Sequence, residues 1–240
     1  MKNKKVIGIT GANGTLGKSL TKIFKDKGYQ IIGFTHTKDE KDLNKNGPNE
    51  WIYWECGKEY LLENSLKNVD ILILNHGFYP QNLKNLDFEK ALDINALSQF
   101  RIFHIFKEIS LNNEDQSSPK EIWINTSEAE ILPALSPSYE ISKSLIGSFI
   151  TLQNIFLTDK ERKKLLIRKI IIGPFKSKLN PIGIMDPSII ALFIYYLSKI
   201  KFNLIIITPN PISYLIFPLN EFYFYCYYSF LKFLRRDSSS

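Results

Sequence analysis

A tyrosine and a lysine four residues apart could carry out acid–base chemistry in this chain. Tyr139 and Lys143 lie in the segment SYEISK at residues 138–143, and at this spacing both side chains face the same side of a helix. A free phenol has a pKa of about 10, and a nearby ammonium favours the phenolate and lowers that pKa. Ser127, twelve residues before Tyr139, can hydrogen-bond the same substrate oxygen. The three residues therefore predict proton transfer to a carbonyl or from an alcohol.

A glycine-rich turn near the N-terminus could bind a phosphate. Gly11, Gly14 and Gly17 follow a short apolar strand and open a helix, which is the context of a dinucleotide-binding turn. Glycines let the backbone approach a pyrophosphate closely, and the amides at the helix N-terminus then meet its negative charge. The predicted phosphate-binding residues are Gly11, Asn13, Gly14, Thr15, Leu16 and Gly17.

The end of the second predicted strand favours NADP(H) over NAD. An acidic residue about twenty positions past the glycines would bind the ribose 2′-hydroxyl of NAD. Thr35 stands there instead, with His36 and Lys38 beside it, and the first acid is Asp39. This group would accept a 2′-phosphate that an aspartate would repel. NAD stays the alternative, in which Lys38 is only a solvated loop lysine.

The elements that would position these residues alternate between strand and helix. The patterns predict strands at 6–10, 30–35, 51–54, 70–75, 121–126, 165–172 and 202–208, and helices at 18–27, 88–106, from 139 onward and at 187–199. Such alternation predicts a parallel sheet covered on both faces. The expected fold is thus α/β, a Rossmann-like doubly wound sheet of about seven strands in three layers, over residues 1–208.

Composition and charge exclude several other classes of protein. A chain of 240 residues with 44% hydrophobic residues suits one globular domain. The net charge of +7 favours anionic partners, but no nucleic-acid-binding module accompanies it, so no nucleic-acid partner is predicted. The two cysteines, Cys56 and Cys226, predict no disulfide framework, and no histidine–acid cluster has the spacing of metal ligands. The first apolar run covers only residues 6–9, too short for a secretory signal, so the chain is predicted to be cytoplasmic.

The last 32 residues, 209–240, form a separate aromatic-rich extension. They include ten aromatic residues and end in Arg235, Arg236 and a polar tail. The segment is too short and too interrupted for a membrane span. Two interpretations stay open: peripheral contact with a membrane interface, where aromatic and basic residues are favourable, and packing on the domain or on another subunit.

Over roughly residues 5–208, the chain resembles the short-chain dehydrogenase/reductase family. The motifs that carry the resemblance are TGANGTLG at 10–17, NHG at 75–77, Asn95, and Ser127 with Tyr139 and Lys143. The resemblance implies that Tyr139 is the acid/base and that Ser127 polarises the reacting oxygen. It also implies that Lys143 binds the nicotinamide ribose and that Asn95 holds a water in the proton relay. Asn75 and Gly77 would shape the adenosine side.

Three departures from the family pattern bear on the site. The spacing of twelve between Ser127 and Tyr139 is one shorter than the commonest arrangement, so the loop at 128–138 is expected to be tight. The usual Pro-Gly after strand six is reversed as Gly173-Pro174, which affects the nicotinamide-side contact expected at Pro174. The segment 176–186 is short where many relatives carry a lid over the substrate.

The sequence therefore predicts an NADP(H)-dependent oxidoreductase that interconverts a carbonyl and an alcohol by hydride transfer. By resemblance, the long helices at 88–106 and 139–157 would form a homo-oligomer. Two alternatives stay open: a nucleotide-binding scaffold or redox sensor without turnover, and a membrane-associated lipid reductase that uses the aromatic extension.

Overall fold

The computed structural model describes residues 4–44, 46–79, 85–113, 118–177, 180–200 and 202–237. Its strands are β1 (Val6–Thr10), β2 (Gln30–Thr35), β3 (Glu50–Tyr53), β4 (Ile71–Leu74), β5 (Lys120–Ser127), β6 (Leu165–Ile172) and β7 (Leu204–Ile207). Its helices are α1 (Thr15–Asp26), α2 (Glu63–Lys67), α3 (Asn85–Leu92), α4 (Ser98–Asn112), α5 (Pro137–Phe156), α6 (Asp159–Arg162), α7 (Pro187–Leu197) and α8 (Ser213–Asp237).

The strands form one parallel sheet of seven in the order β3-β2-β1-β4-β5-β6-β7. The predicted fold class is therefore confirmed. The strands are nearly continuous apolar runs because both faces of the sheet are buried. In β4 all four residues, Ile71 to Leu74, are buried. The order reverses direction between β1 and β4, which is where ligands bind in open α/β sheets.

Two hydrophobic cores cover the two faces of the sheet. On one face α1 and α7 pack around Phe24, Trp123 and Ile194. On the other, α2, α4 and α5 pack around Phe103, Phe106 and Ile150. The result is the three-layer arrangement that the sequence predicted.

The helix predicted at 88–106 is divided by a π-helical turn at Asp93–Leu97, between α3 and α4. Such one-turn widenings of a helix are often found at functional sites. Buried Asn95 lies in this turn, and the helical pattern of apolar residues gives no sign of it.

The aromatic extension forms α8, which runs through Pro218 and packs on α5 and β7. Phe217 is buried against the domain. In the described part of the chain, no helix combines the length and the apolar character that a membrane crossing needs. The sequence analysis assigned no secondary structure to this segment, so the helix is a feature that the structure adds.

Candidate active site

The predicted site residues follow the carboxyl ends of neighbouring strands. Gly11 follows β1, Asn75 follows β4, Ser127 ends β5 and Gly173 follows β6. Because the strands are parallel, these residues share one edge of the sheet. Ser127 is in register with Ile172, the last residue of β6.

The backbone packed around the glycine turn leaves no room for side chains at Gly11 and Gly17. Gly11 has φ of 63°, and a Cβ there would lie 2.9 Å from the Cα of His76. A Cβ on Gly17 would lie 2.2 Å from the carbonyl oxygen of Gly11 and 2.8 Å from the Cα of Ala12. Glycine is therefore required for the strand, the turn and α1 to meet this closely.

The N-terminus of α1 suits an anion such as a pyrophosphate. Gly14 is the N-cap residue, and within the described residues no side chain caps it. The first turn, beginning at Thr15, contains no acidic residue. Its free amides and the helix dipole therefore suit a negatively charged ligand. Two neighbouring predicted residues have structural contacts: Leu16 is buried in the core, and the Asn13 amide donates to Thr37 Oγ1 at 3.3 Å.

At the end of β2, the residues predicted to favour a 2′-phosphate are already engaged. Thr35 is buried, and its hydroxyl accepts a hydrogen bond from the Thr37 amide at 3.1 Å. The Nδ1 atom of His36 lies 2.8 Å from the carbonyl oxygen of Trp54, and the two rings are 4.1 Å apart. Lys38 forms an ion pair with Glu55 at 3.0 Å. Glu55 already balances the charge of Lys38, so Lys38 contributes little to the preference for NADP. The main reason for that preference is that position 35 carries a threonine and not an acid.

Tyr139, Lys143 and Ser127 come together as their spacing predicted. The Ser127 hydroxyl lies near enough to the Tyr139 phenol to lower its pKa, and Lys143 Nζ lies 5.7 Å from the centre of the Tyr139 ring. The Lys143 side chain is buried. Tyr79 packs edge-on against Tyr139, with ring centres 5.1 Å apart, and the sequence gave no sign of this contact.

Burial shifts the pKa of both catalytic candidates. Burial raises the pKa of Tyr139 above its ordinary value, the Ser127 hydroxyl opposes that rise, and Tyr79 adds to it. Burial also lowers the pKa of Lys143 to about 8, against a smaller opposing effect of Glu130. The Tyr139 pKa is therefore raised where the sequence analysis expected a lowering, because burial penalises the phenolate.

Asn95 is fully buried and makes three hydrogen bonds. Its Oδ1 accepts from the Phe78 amide at 2.7 Å. Its Nδ2 donates to the Phe78 carbonyl oxygen at 2.8 Å and to Ser142 Oγ at 3.0 Å. The side chain thus ties the segment after β4 to α5, directly beside Lys143. The water-holding role implied by the resemblance stays a prediction.

The segment 75–77 fits between the glycine turn and the catalytic pair. Asn75 Oδ1 accepts from Asn125 Nδ2 at 2.9 Å. A Cβ on Gly77 would lie 3.2 Å from Asn95 Oδ1 and 3.8 Å from Lys143 Nζ. His76 is buried, its Nδ1 lies 2.8 Å from Thr10 Oγ1, and burial lowers its pKa to about 3. A neutral histidine therefore replaces the small residue usual in the resembled motif.

The loop between β5 and α5 is tight, as the short spacing predicted. Leu135 adopts φ of 56°, a left-handed conformation that a leucine seldom takes. The Glu140 carboxylate stabilises the turn by accepting hydrogen bonds from the amides of Ala134, at 2.8 Å, and Ser136, at 3.3 Å.

The segment after β6 folds back on itself. The Pro174 carbonyl oxygen accepts hydrogen bonds from Ile184, at 3.0 Å, and Met185, at 3.1 Å. Phe175 forms a parallel bridge with Met185. Pro174 is exposed, and its nicotinamide contact stays a prediction. Ile182, within this segment, is 91% exposed.

Comparison with known proteins relates the chain to enzymes. No protein-family model matches it. It is 36% identical over 232 residues to a monoglucosyldiacylglycerol epimerase of Synechocystis, covering 95% of this chain and 55% of that protein. It is 33% identical over 118 residues to a 3-oxoacyl-(acyl-carrier-protein) reductase, FabG, of Buchnera aphidicola, covering 40% of this chain and 46% of that protein. The chain thus spans about half the length of these curated relatives.

Solved structures share the fold at low sequence identity. A short-chain dehydrogenase from Burkholderia cenocepacia in complex with NADP superposes with a TM-score of 0.75 and 13% identity, covering 89% of this chain and 91% of that one. A bulky-bulky ketone specific alcohol dehydrogenase from Comamonas testosteroni gives 0.74 and 15%, covering 92% of each chain.

Proposed function

Because the chain has the fold of the short-chain dehydrogenase/reductase family, as its motifs predicted, we propose that it interconverts a carbonyl and an alcohol with NADP(H). The observation that carries this proposal is the position of Lys143 Nζ, 5.7 Å from the centre of the Tyr139 ring, with the Ser127 hydroxyl on the phenol side of that ring. In this proposal residues 1–208 form the cofactor-binding domain and 209–240 the extension.

Tyr139 is the acid/base in the proposed reaction. It gives its proton to the substrate oxygen when a carbonyl is reduced and takes a proton from an alcohol that is oxidised. Ser127 hydrogen-bonds the same oxygen as charge develops on it. When bound, the nicotinamide exchanges a hydride with the carbon that carries this oxygen. Gly11, Gly14 and the first turn of α1 would hold the pyrophosphate, and Lys143 the nicotinamide ribose.

A cofactor assay tests this proposal directly. Purified protein is mixed with NADPH and a series of aldehydes, ketones and lipid carbonyls, and loss of NADPH absorbance is followed together with product formation. We expect turnover with at least one carbonyl class. NADPH binding without turnover on any carbonyl, alcohol or glycolipid would favour the non-catalytic scaffold.

A second candidate function is epimerisation of a glycolipid sugar. The 36% identity to a monoglucosyldiacylglycerol epimerase over 95% of this chain favours it. The same residues suffice for that reaction. Tyr139 would take the proton from a sugar hydroxyl while bound NADP+ would accept the hydride from its carbon. The hydride would then return to the opposite face of the intermediate carbonyl, and Tyr139 would return the proton to its oxygen. Ser127 would bond the oxygen in both halves.

The two candidates differ in net use of cofactor. With monoglucosyldiacylglycerol and a catalytic amount of cofactor, the epimerase yields an epimer without net oxidation or reduction. The reductase consumes one NADPH for each alcohol formed and leaves that glycolipid unchanged. Chromatography of the released sugar distinguishes the two outcomes.

We expect Thr35→Asp to shift cofactor preference toward NAD. Thr35 lies where an acid would meet the ribose, and aspartate can still accept the hydrogen bond from the Thr37 amide. A carboxylate there would repel a 2′-phosphate and bind a 2′-hydroxyl. The ratio of NADPH to NADH affinity, measured by fluorescence titration, should fall about tenfold or more.

Lys38→Met is the matched comparison. Because Glu55 already pairs with Lys38, this change should alter the same ratio less than Thr35→Asp does. An unchanged ratio in Thr35→Asp, with the protein folded, contradicts this interpretation of the β2 end.

The outward face of α8 supports peripheral contact with a lipid surface. Between residues 213 and 231 the sequence contains one charged residue, Glu221, and it turns inward to pair with Lys169 at 2.8 Å. Outward-facing Phe222 is 65% exposed. The large exposed apolar residues of α8 are Tyr214, Leu215, Leu219, Phe222, Tyr223, Tyr225, Tyr227, Phe230, Phe233 and Leu234.

Charge and position favour a membrane as the partner of this face. Tyrosine and phenylalanine rings are favourable at the headgroup level of a bilayer. Lys232 contacts the end of α5 through the carbonyl oxygen of Ile155 at 3.0 Å, and exposed Lys160, Arg162 and Lys163 follow shortly after that end. These basic residues complement anionic lipids. The alternative partner is a second copy of the chain in a homo-oligomer.

Phe222→Ser/Phe230→Ser should release the protein from membranes. Removing two exposed rings takes away apolar area that a bilayer would bury. Co-sedimentation with vesicles containing anionic lipid should fall about tenfold or more. The matched control is Tyr60→Ser, since Tyr60 is as exposed but lies on a different face. If wild type does not sediment, and gel filtration shows an oligomer that the double variant dissociates, the face is a subunit contact.

A further inference from the structure

One face of α5 carries Tyr139 and Lys143 and continues from them into the protein interior. Tyr139, Lys143, Gly147 and Thr151 are four residues apart and therefore share one face of the helix. Glycine at 147 makes room for a carboxylate, because a Cβ there would lie 2.1 Å from Glu130 Oε2. Glu130 thus packs against α5 one turn beyond Lys143.

Glu130 belongs to a buried charge cluster. Lys169 Nζ on β6 lies 2.7 Å from Glu130 Oε2 and 2.8 Å from Glu221 Oε1 on α8. It also donates to Thr151 Oγ1 at 3.0 Å and to the Gly147 carbonyl oxygen at 3.2 Å. The side chains of Lys169 and Glu130 are only 2% and 4% exposed. The three charged groups of the cluster therefore come from three separate parts of the chain: the segment after β5, strand β6 and helix α8.

Stability alone gives little reason for such a cluster. Buried ion pairs lose about as much through desolvation as they gain in attraction, and apolar residues often replace them without loss. With all groups ionised, Lys143 and Lys169 balance Glu130 and Glu221. The cluster thus neutralises a buried ammonium at the end of the proposed active site.

Glu130 opposes the loss of charge on Lys143, and Lys169 opposes the loss of charge on Glu130. Burial lowers the pKa of Lys143 to about 8, and Glu130 is the group that opposes this fall. The other titratable groups facing Lys143 are the Tyr139 phenol and His76, which is neutral. Burial raises the pKa of Glu130, and Lys169 opposes that rise.

We propose that Glu130, Lys169 and Glu221 are positioning residues that keep the Lys143 ammonium charged from one helical turn away. The proposal rests on the proposed oxidoreductase function for its catalytic meaning. It makes α8 part of the catalytic unit, since Glu221 supplies the second carboxylate to Lys169. Glu130 itself acts through Lys143 and does not touch the substrate.

The experiment titrates Lys143 in protein labelled with 13C at the lysine Cε, with the signal assigned by its absence in Lys143→Met. In Glu130→Gln the pH of half-titration should fall by about one pH unit. The sign follows from charge: without the carboxylate, the buried ammonium loses its proton at lower pH. The alkaline limb of the pH–rate profile should move in the same direction.

Glu221→Gln should also lower the pH of half-titration of Lys143, but by less than Glu130→Gln does. Glu108→Gln, an exposed site on α4, should leave it unchanged.

The NMR titration needs no turnover, so it separates this proposal from the proposed function. If wild type shows no activity on any substrate, the function fails while the titration still decides the role of the cluster. If Glu130→Gln does not fold, Glu130→Gln/Lys169→Met removes both partners and leaves no unpaired cation between them. The proposal is overturned if Lys143 titrates at the wild-type pH in a folded variant that lacks the Glu130 charge.

Discussion

Tyr139→Phe should lower kcat by about 10²- to 10⁴-fold, the range for loss of a general acid/base. The substitution removes only the phenol oxygen, the atom whose pKa Ser127 lowers. The ring keeps its contacts with Tyr79, at 5.1 Å, and with Lys143, at 5.7 Å. NADPH affinity should therefore stay within about twofold of wild type. Steady-state kinetics and fluorescence titration measure the two quantities.

Tyr79→Phe is the matched control for this prediction. The Tyr79 hydroxyl donates a hydrogen bond to the Ala134 carbonyl oxygen at 3.4 Å, on the outer side of the same aromatic pair. Loss of the Tyr79 hydroxyl should lower kcat far less than Tyr139→Phe does. If Tyr139→Phe keeps the wild-type rate, another group transfers the proton and the proposed mechanism is wrong.

Gly17→Ala should weaken NADPH binding by about 10- to 100-fold. The added methyl would lie 2.2 Å from the Gly11 carbonyl oxygen and 2.8 Å from the Ala12 Cα. Both are backbone atoms, so relief requires the turn itself to move away from α1. That movement displaces the amides proposed to bind the pyrophosphate. Isothermal titration with NADPH gives the affinity.

Ser19→Ala provides the comparison on the same helix. The Ser19 hydroxyl makes one long hydrogen bond, 3.4 Å to the Thr15 carbonyl oxygen, and its removal should leave NADPH affinity unchanged. Circular dichroism checks that Gly17→Ala stays folded. A folded Gly17→Ala protein with wild-type affinity would mean that the nucleotide does not bind at this turn.

The proposed membrane contact and the proposed charge cluster both involve α8. Its outward aromatic face is proposed to lie on lipid, and its inward Glu221 reaches the charge cluster beside Lys143. Its first residue, Ser213, contacts the Glu128 carboxylate directly after Ser127. Deleting the whole segment would therefore disturb both roles, and only point substitutions on the outward face separate them.

The local pattern of the sequence was sufficient for the sheet and the proposed catalytic residues. Apolar runs predicted the central strands such as β4, because parallel strands inside a covered sheet are buried on both faces. The spacing of Tyr139 and Lys143 placed them on one helix face, because helical geometry depends only on residue number. The turn at Gly11 was predicted for the same reason: its conformation follows from its own residues and from the strand before it.

Only the tertiary structure decided which charges meet. In sequence, Lys169 is a lysine within an apolar strand, and Glu130 and Glu221 lie 91 residues apart. Their contact depends on β6 lying beside β5 and on α8 packing on α5, and no local pattern encodes either distance. The same holds for Lys38, whose pairing with Glu55 comes from the register of β2 with β3. Burial then set the pKa values of Tyr139 and Lys143, because desolvation depends on everything packed around a group and not on its neighbours in the chain.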